Sequence, residues 1–240
     1  MRDITIGLTA ETTGGTDEII HIGKRVHEFS MIEDQKYILE RILDLAEKEM
    51  PDGVILAGDI YDKQIPSAEA VQVFDEFITK LAERKFPVFV ISGNHDSAER
   101  LAFGGRLLNS RGIYLSPVYD GTVMKIPIAD QYGTVWIHLL PFIRPAAVRR
   151  VFEDESDLIT DVQSAVRAVI SHMEIDPNER NILVAHQFVT GASRCESEDI
   201  QVGGLDNIDA SVFEAFDYTA LGHIHSPQNV GKGMVRYCGT

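Results

Sequence analysis

Four short motifs in this chain combine oxygen and imidazole donors in a way that suits metal chemistry. They are GDIYD at residues 58–62, GNHD at 93–96, AHQ at 185–187 and GHIH at 222–225. Taken singly, each is weak, because a lone Gly-Asp is most often a turn and a lone buried histidine is most often a core residue. Together they offer the mixed donor set that suits manganese, iron or zinc. The candidate ligands are Asp59, Asn94, His186, His223 and His225.

This donor set predicts a site in which two metal ions hydrolyse phosphate esters. One carboxylate can bridge two cations, which is the role we assign to Asp59, while imidazoles and an amide oxygen complete the shells. Two ions about 3.5–4 Å apart can clamp a phosphate and activate water. We expect His95 to donate a proton to the leaving group or to stabilise the transition state. His223 and His225, two residues apart, would point the same way in extended backbone.

A repeating strand and helix pattern delivers these residues to the ends of strands. Apolar runs predict buried strands at 52–59, 86–92, 181–186 and 218–223. Apolar residues at helical spacing predict helices at 33–50, at 67–84 behind a Ser67 cap, and at 156–173. Segments 122–128 and 134–140 predict an antiparallel hairpin, 210–216 a short helix, and 190–207 a loop. Because ligands bind outside the carboxyl ends of strands in open α/β sheets, one site is expected there.

Length and composition indicate a globular protein. With 240 residues and 44% apolar side chains, the chain can form one large domain, or a domain and part of another. The sequence has no run of about 18 apolar residues and no signal peptide, so a cytoplasmic location is expected. Cys195 and Cys238 are too few for a disulfide framework and are expected to be reduced thiols.

Net charge weighs against a broad nucleic-acid surface. The formal charge of −15 is the opposite of what phosphate binding normally requires. Metal ions among acidic ligands would still reverse the local field where a phosphate docks. Basic residues do flank the expected cleft, although a solvated charged face explains each one equally well: Lys24, Arg25, Arg100 and Arg106.

The order of these motifs resembles that of the calcineurin-like metallophosphoesterases, whose pattern is D-x-H, G-D-x-x-D, G-N-H-D/E, a single His and G-H-x-H. The strings GKRVHEFSMIEDQKYIL, GDIYDKQIPSAEAV and ISGNHDSAERL further resemble the SbcD family of nuclease subunits from bacterial SbcCD complexes. The resemblance implies an α/β sandwich with central mixed β-sheets flanked by helices across residues 1–240. It also implies a manganese-dependent DNA endonuclease and exonuclease, an SbcC-type ATPase partner and a homodimer.

The same resemblance implies a full ligand set. The first metal ion would take His21, Asp59 and His225. The second would share the bridging carboxylate and add three further residues: Asn94, His186 and His223. His95 would be the catalytic histidine. Asp62 and Asp96 would brace loops or orient ligands.

Two departures from the family pattern stand at the ends of the chain. The family's first motif places an aspartate two residues before the histidine, but Ile19 stands there, and the stretch 1–20 does not resemble the usual first strand. Asp17 and Glu18 have the wrong register for a strand to present them beside His21. Either the start of the sequence is altered or artefactual, or one metal position is expected to be weakened. The sequence stops at Thr240, so the family's capping and SbcC-docking regions are expected to be absent.

Two alternatives to a DNA nuclease remain open on the sequence alone. The metal motifs are shared with metallophosphoesterases that act on phosphoproteins or small phosphodiesters. Loss of the first-motif carboxylate would also fit a metal-deficient structural or partner-binding domain. Three further histidines match no metal motif. His138 and His172 are expected to be structural, and His27 to approach DNA or to be a solvated surface residue.

Overall fold

Strands that are apolar on both faces must be packed against other elements on both sides, and two strands of this molecule are of that kind. The computed structural model describes residues 6–8, 21–190, 192, 207–231 and 234–239. The strands at Gly53–Ala57 and Val88–Ile91 are buried at every residue. Such strands occur in sheets covered on both faces.

Twelve strands and six α-helices are found in the described residues. The strands are β1 (Ile6–Leu8), β2 (Arg25–Val26), β3 (Phe29–Ser30), β4 (Gly53–Ala57), β5 (Val88–Ile91), β6 (Ile113–Leu115), β7 (Met124–Asp130), β8 (Gly133–Leu139), β9 (Arg180–His186), β10 (Tyr218–Gly222), β11 (Gln228–Val230) and β12 (Val235–Tyr237). The helices are α1 (Ile32–Glu49), α2 (Ala68–Glu83), α3 (Ala98–Leu101), α4 (Gly105–Leu108), α5 (Pro145–Val151) and α6 (Val162–Ser171). Short 3-10 turns lie at Asn109–Arg111, Glu153–Leu158 and Ala210–Phe213.

Two sheets form the centre of the fold. The first is parallel, in the order β1-β4-β5-β6. The second is mixed, in the order β11-β12-β10-β9-β8-β7, with β8, β9, β10 and β12 parallel and an antiparallel strand at each edge. The strands β2 and β3 form a small separate hairpin. Parallel β4, β5, β9 and β10 therefore carry the predicted site residues at their carboxyl ends.

The two sheets pack face to face, with helices on the outer faces. One apolar cluster lies between the sheets and joins Ile55 and Phe89 of the first to Ile137 and Val184 of the second. A second cluster covers the outer face of the first sheet with α1 and α2. A third covers the outer face of the second sheet with α5 and α6. The predicted α/β sandwich, with central sheets flanked by helices, is confirmed.

Most of the predicted elements are present, with shorter bounds. The β7–β8 hairpin is antiparallel as predicted, and the Ser67 hydroxyl accepts the Ala70 N–H at the start of α2. The helix predicted at 156–173 is wrong in its first part, because a 3-10 turn precedes α6. The reason is a capping box, in which the Asp161 carboxylate accepts the Ser164 N–H and the Ser164 hydroxyl accepts the Asp161 N–H. The loop predicted at 190–207 lies largely outside the described residues.

The start of the chain contradicts one expectation. Residues 6–8 form β1, which pairs in parallel with β4, so the stretch 1–20 does contain a strand at the edge of the first sheet. The positions of Asp17, Glu18 and Ile19 lie outside the described residues. Among the helices that are described, none is both long enough and apolar enough to cross a membrane.

Candidate metal centre

Both sheets contribute to one cluster of polar side chains. Asp59 follows β4 and Asn94 follows β5 in the first sheet, while His186 ends β9 and His223 follows β10 in the second. Their strands are parallel, so their carboxyl ends meet at one edge of the sandwich. The predicted residues from distant parts of the chain are thus brought together.

The Asp59 carboxylate lies at the middle of this cluster. Its Oδ2 is 3.1 Å from Nε2 of His186 and 3.4 Å from Nε2 of His21. Its Oδ1 accepts the backbone N–H of His95 at 3.0 Å. Burial alone would raise the pKa of Asp59, but the two histidines outweigh burial and hold that pKa well below its usual range. A charged carboxylate between two imidazoles is thereby maintained.

The ring of His186 faces oxygen atoms in a way that calls for a cation. Its Nδ1 lies 2.7 Å from the Ala57 carbonyl, so this nitrogen carries the proton and donates it. Its Nε2 then has only a lone pair in the neutral ring, yet it lies 3.0 Å from Asn94 Oδ1 as well as beside Asp59. Two oxygens and a lone pair repel one another unless a proton or a metal ion lies between them.

The electrostatics of His223 and His225 disfavour a proton on either ring. Nδ1 of His223 lies 3.0 Å from the same Asn94 oxygen. Burial lowers the pKa of His223 to about 3, and the neighbouring His186 acts in the same direction. Burial, and then His21, lowers the pKa of His225 to about 4. Both rings are therefore neutral at neutral pH, which is the form that ligates metals.

His21 is held in place by a residue that the motifs did not single out. Gln35 of α1 donates to the His21 carbonyl at 2.9 Å and accepts the Gly23 N–H at 3.0 Å. The His21 N–H donates to the Asp59 carbonyl at 3.0 Å, which ties this segment to the β4 loop. Nδ1 of His21 is buried and has no hydrogen-bond partner among the described residues. A buried ring with Nε2 beside the Asp59 carboxylate and Nδ1 unpaired fits the role of a metal ligand.

His95 and His225 complete the cluster beside His21. The His95 ring lies 5.0 Å and the His225 ring 5.3 Å from the His21 ring, both edge to face. Nδ1 of His95 lies 3.1 Å from the Asp62 carbonyl, so Nδ1 is the donor and Nε2 is left for other partners. His225 lines the same cavity as Asp59 and His186.

The donor atoms fit metal ions in two overlapping trios. In each trio the ligand atoms lie within 4.8 Å of one another: His21, Asp59 and His95 in one, and Asp59, His186 and His223 in the other. Asp59 belongs to both. The structure differs from the expected set by placing His95 rather than His225 in the first trio.

Asp96 braces the loops that carry these ligands. Its carboxylate accepts the backbone N–H groups of Ile60, Tyr61 and Gly93 at 3.1, 2.9 and 2.8 Å. Burial, reinforced by nearby Asp59, raises its pKa even though the three N–H bonds oppose the rise. These bonds join the loop after β4 to the loop after β5. The expected loop-bracing role of Asp96 agrees with this geometry.

The backbone at the ligands is itself unusual. His21, Asp59 and His223 have φ angles of 31°, 50° and 91°, a region that side chains other than glycine rarely adopt. Strand β10 ends at Gly222, so the expectation of extended backbone through His223 is wrong. A Cβ on Gly222 would lie 1.9 Å from the Ala57 carbonyl oxygen, and one on Gly93 would lie 2.1 Å from Asp59 Oδ1. Glycine directly before Asp59, Asn94 and His223 was a sequence signal for this close packing.

The other residues that the sequence analysis named are three histidines, four basic residues and two cysteines. His138 is buried against Asn181, and His172 stacks on Phe152 at 4.1 Å, so both have structural contacts. His27 is exposed on the β2–β3 hairpin. Of the basic residues, Lys24 is close enough to lower the pKa of His225 further, while three others are exposed: Arg25, Arg100 and Arg106. Cys238 is a free, half-buried thiol, and Cys195 lies outside the described residues.

Two relatives from staphylococci share much of this sequence. The chain is 34% identical over 224 residues to the SbcD subunit of the nuclease SbcCD from Staphylococcus epidermidis, and the match covers 92% of this chain and 58% of the relative. It is 33% identical, with the same coverage, to the corresponding nuclease subunit of Staphylococcus saprophyticus subsp. saprophyticus. The chain thus spans less than two thirds of the length of these curated relatives.

A solved structure supports the fold alone. GAP50, the anchor in the inner membrane complex of Plasmodium, matches with a TM-score of 0.52 at 12% identity, over 92% of this chain and 70% of that one.

The family model for calcineurin-like phosphoesterases matches residues 20–227, a span that includes every candidate ligand. The chain therefore belongs to the calcineurin-like phosphoesterase family.

Proposed function

We propose that this chain is the phosphoesterase domain of an SbcD-type nuclease, which hydrolyses DNA phosphodiesters with two divalent metal ions. The observation that carries the proposal is the convergence of the Asp59 and Asn94 oxygens on Nε2 of His186, a group of atoms that calls for a cation between them. This arrangement has little use in a purely structural core, where a buried histidine pairs with one complementary partner. The likeness to two nuclease subunits over 92% of the chain supplies the substrate class.

Six residues would hold the metal ions, with Mn²⁺ as the preferred metal. Asp59 would serve both positions, since its Oδ2 lies within 3.4 Å of His21 Nε2 and 3.1 Å of His186 Nε2. His21 and His225 would complete the first position. Three residues would complete the second: Asn94, His186 and His223. When bound, such a pair of ions orients a phosphate, lowers the pKa of water and offsets the charge of the leaving oxygen.

His95 would handle the proton of the leaving group. Its Nδ1 proton is held by the Asp62 carbonyl, which fixes the ring beside that of His21 and leaves Nε2 available. In the imidazolium form, Nε2 can donate its proton to the departing oxygen, and the neutral ring can then recover a proton from solvent. The same contact would also suit a metal ligand, so the proton-transfer role of His95 is taken from the GNHD motif of the family rather than from this contact.

The remaining proposals follow from the nuclease subunits. DNA is the substrate, both as duplex ends and as hairpins, and the partners are an SbcC-type ATPase and a second copy of the chain. We place the protein in the cytoplasm, with residues 1–240 as the nuclease domain. Metal ions, when bound, would offset the net charge of −15 at the site, and nearby Lys24 adds a positive charge there.

The test compares three substrate classes on the purified chain. With Mn²⁺, we expect cleavage of a DNA hairpin and of duplex ends, and no cleavage after EDTA treatment. Hydrolysis of bis(p-nitrophenyl) phosphate or a phosphopeptide without any action on DNA would favour another phosphoesterase. Fewer than one bound ion per chain, together with no hydrolysis of any substrate, would indicate a metal-deficient domain.

A further inference from the structure

The segment PFIRP at residues 141–145 lies against the metal centre and carries a cation. The Phe142 ring meets the His186 ring edge to face, with centroids 6.2 Å apart. The guanidinium carbon of Arg144 lies over the Phe142 ring, 5.8 Å from its centroid. Arg144 is exposed, while Phe142 is half-buried. A positive charge is thereby presented to solvent beside the ligand His186.

The backbone of this segment is fixed by contacts to the site itself. The Phe142 N–H donates to the Ser92 carbonyl, at the end of β5, at 2.8 Å. The side chain of Gln187, the residue that follows His186, donates to the Ile143 carbonyl at 3.4 Å. Pro145 follows Arg144 and favours the extended backbone that Arg144 adopts, with φ −115° and ψ 150°. Arg144 therefore starts from a backbone position that is tied to both sheets.

The charge of this region opposes that of the chain as a whole. Residues 141–152 contain three arginines and no acidic residue in a chain of net charge −15. Arg149 donates to the Ile159 carbonyl at 2.6 Å and so supports local structure. Arg144 instead lies over the aromatic ring that touches the site. An aromatic ring beneath a guanidinium orients the cation without neutralising it.

We propose that Arg144 binds a phosphate that flanks the scissile one in a polynucleotide substrate, with Phe142 positioning its guanidinium. This inference rests on the proposed nuclease function. The guanidinium can be no further from the His186 ring than the two ring distances laid end to end, about 12 Å. One strand of a duplex carries a phosphate for every ~3.4 Å along its axis, so this reach covers about three nucleotides. Arg144 is thus a substrate-binding residue that selects polymers over isolated phosphodiesters.

The experiment measures kcat and KM of the purified chain with Mn²⁺ for Arg144→Gln, Arg144→Lys and the matched control Arg150→Gln. Arg150 is an exposed arginine six positions after Arg144, within the same stretch 141–152. On a DNA oligonucleotide, Arg144→Gln should raise KM roughly tenfold, the size of a lost charge-assisted phosphate contact. The KM of Arg144→Lys should lie between those of Arg144→Gln and the wild type. The KM of Arg150→Gln should equal that of the wild type. On bis(p-nitrophenyl) phosphate, which has no flanking phosphate, the effect of Arg144→Gln should shrink to less than about twofold.

A second measurement locates the contact. Single neutral methylphosphonates are placed at each position within three nucleotides of the cleaved bond. One of them should raise KM for the wild type and have no further effect in Arg144→Gln, since the two changes remove the same interaction. Equal KM values for Arg144→Gln and the wild type on DNA would overturn the inference and leave the nuclease proposal intact. A wild type that cleaves only the small diester would overturn both.

Discussion

The two ends of strand β9 carry the same chemical pair with opposite consequences. Near its start, Asn181 Oδ1 lies 3.0 Å from Nε2 of His138. At its end, Nε2 of His186 lies 3.0 Å from Asn94 Oδ1. Both histidines are 1% exposed. Residue type, distance and burial are therefore alike, and none of them distinguishes a structural pair from a candidate ligand pair.

The difference lies in the other atoms of each pair. Both amide protons of Asn181 are used, since Nδ2 donates to the carbonyls of Asp176 and Glu179 at 2.9 Å. Asn181 Oδ1 then accepts Nε2–H of a neutral His138, and the pair is satisfied. In His186 Nδ1 bonds the Ala57 carbonyl, so Nε2 faces two oxygens and calls for a proton or a metal ion between them. The contact made by the second ring nitrogen thus separates the structural end of the strand from the end that calls for a cation.

Among the variants that test the contrast between the two ends of β9, Asp59→Ala is expected to have the largest effect on metal content and hydrolysis. This change removes the oxygen that lies between His21 and His186, so both metal positions lose a ligand. We expect fewer than one bound Mn²⁺ per chain by elemental analysis, and hydrolysis that falls to background. Retention of two ions by this variant would refute the bridging role.

His95→Ala should separate catalysis from metal binding. Loss of a general acid lowers the rate by about 10²- to 10⁴-fold, while the ions stay bound by the other residues. The measurement pairs kcat on a DNA hairpin with metal content of the same sample. A leaving group of low pKa needs no proton, so a nitrophenyl diester should recover much of the lost rate. Loss of an ion from His95→Ala would instead make His95 a ligand, as the first trio permits.

His138→Leu should affect only the structural end of β9. The change leaves Asn181 Oδ1 buried without its donor, which costs about 1–3 kcal/mol of unfolding free energy. Urea denaturation measures that loss, and metal content should equal that of the wild type. The matched variant His186→Leu should lose metal. If His138→Leu also lost metal, the two ends of the strand would not be independent.

The sequence predicted which residues carry the donor atoms and that these residues follow strands. It did not predict the contact that makes His186 a ligand candidate. Asp59, Asn94 and His186 follow apolar runs, and this local pattern predicts a shared edge. The Ala57 carbonyl that sets the His186 tautomer comes from the other sheet, 129 residues away, so no local pattern reports it. Gln35 was missed for the same reason, because its contacts to the His21 loop depend on how α1 docks.

Local chemistry that was present in the sequence also went unused. The helix predicted at 156–173 ignored the Asp-x-x-Ser spacing of Asp161 and Ser164, which forms the cap that starts α6. The extended geometry assigned to His223 ignored Gly222, whose lack of a side chain lets β10 approach the Ala57 carbonyl. Periodicity located the elements, whereas caps and close backbone approaches decided where they end.

The smallest expected effect is the pH dependence of the His138 contribution to stability. Burial lowers the pKa of His138 below its usual 6.5, and the Asn181 bond only partly opposes this, so the unfolded chain binds a proton more readily than the folded one. The stability that neutral His138 provides is therefore complete above pH 6.5 and declines as pH falls below it. Urea denaturation in EDTA should show the gap between the wild type and His138→Leu narrowing from pH 7 to pH 5. One proton limits the slope to about 1.4 kcal/mol per pH unit. Groups that the two proteins share cancel in the difference, so a gap that stays constant would mean that His138 is not held neutral by the fold.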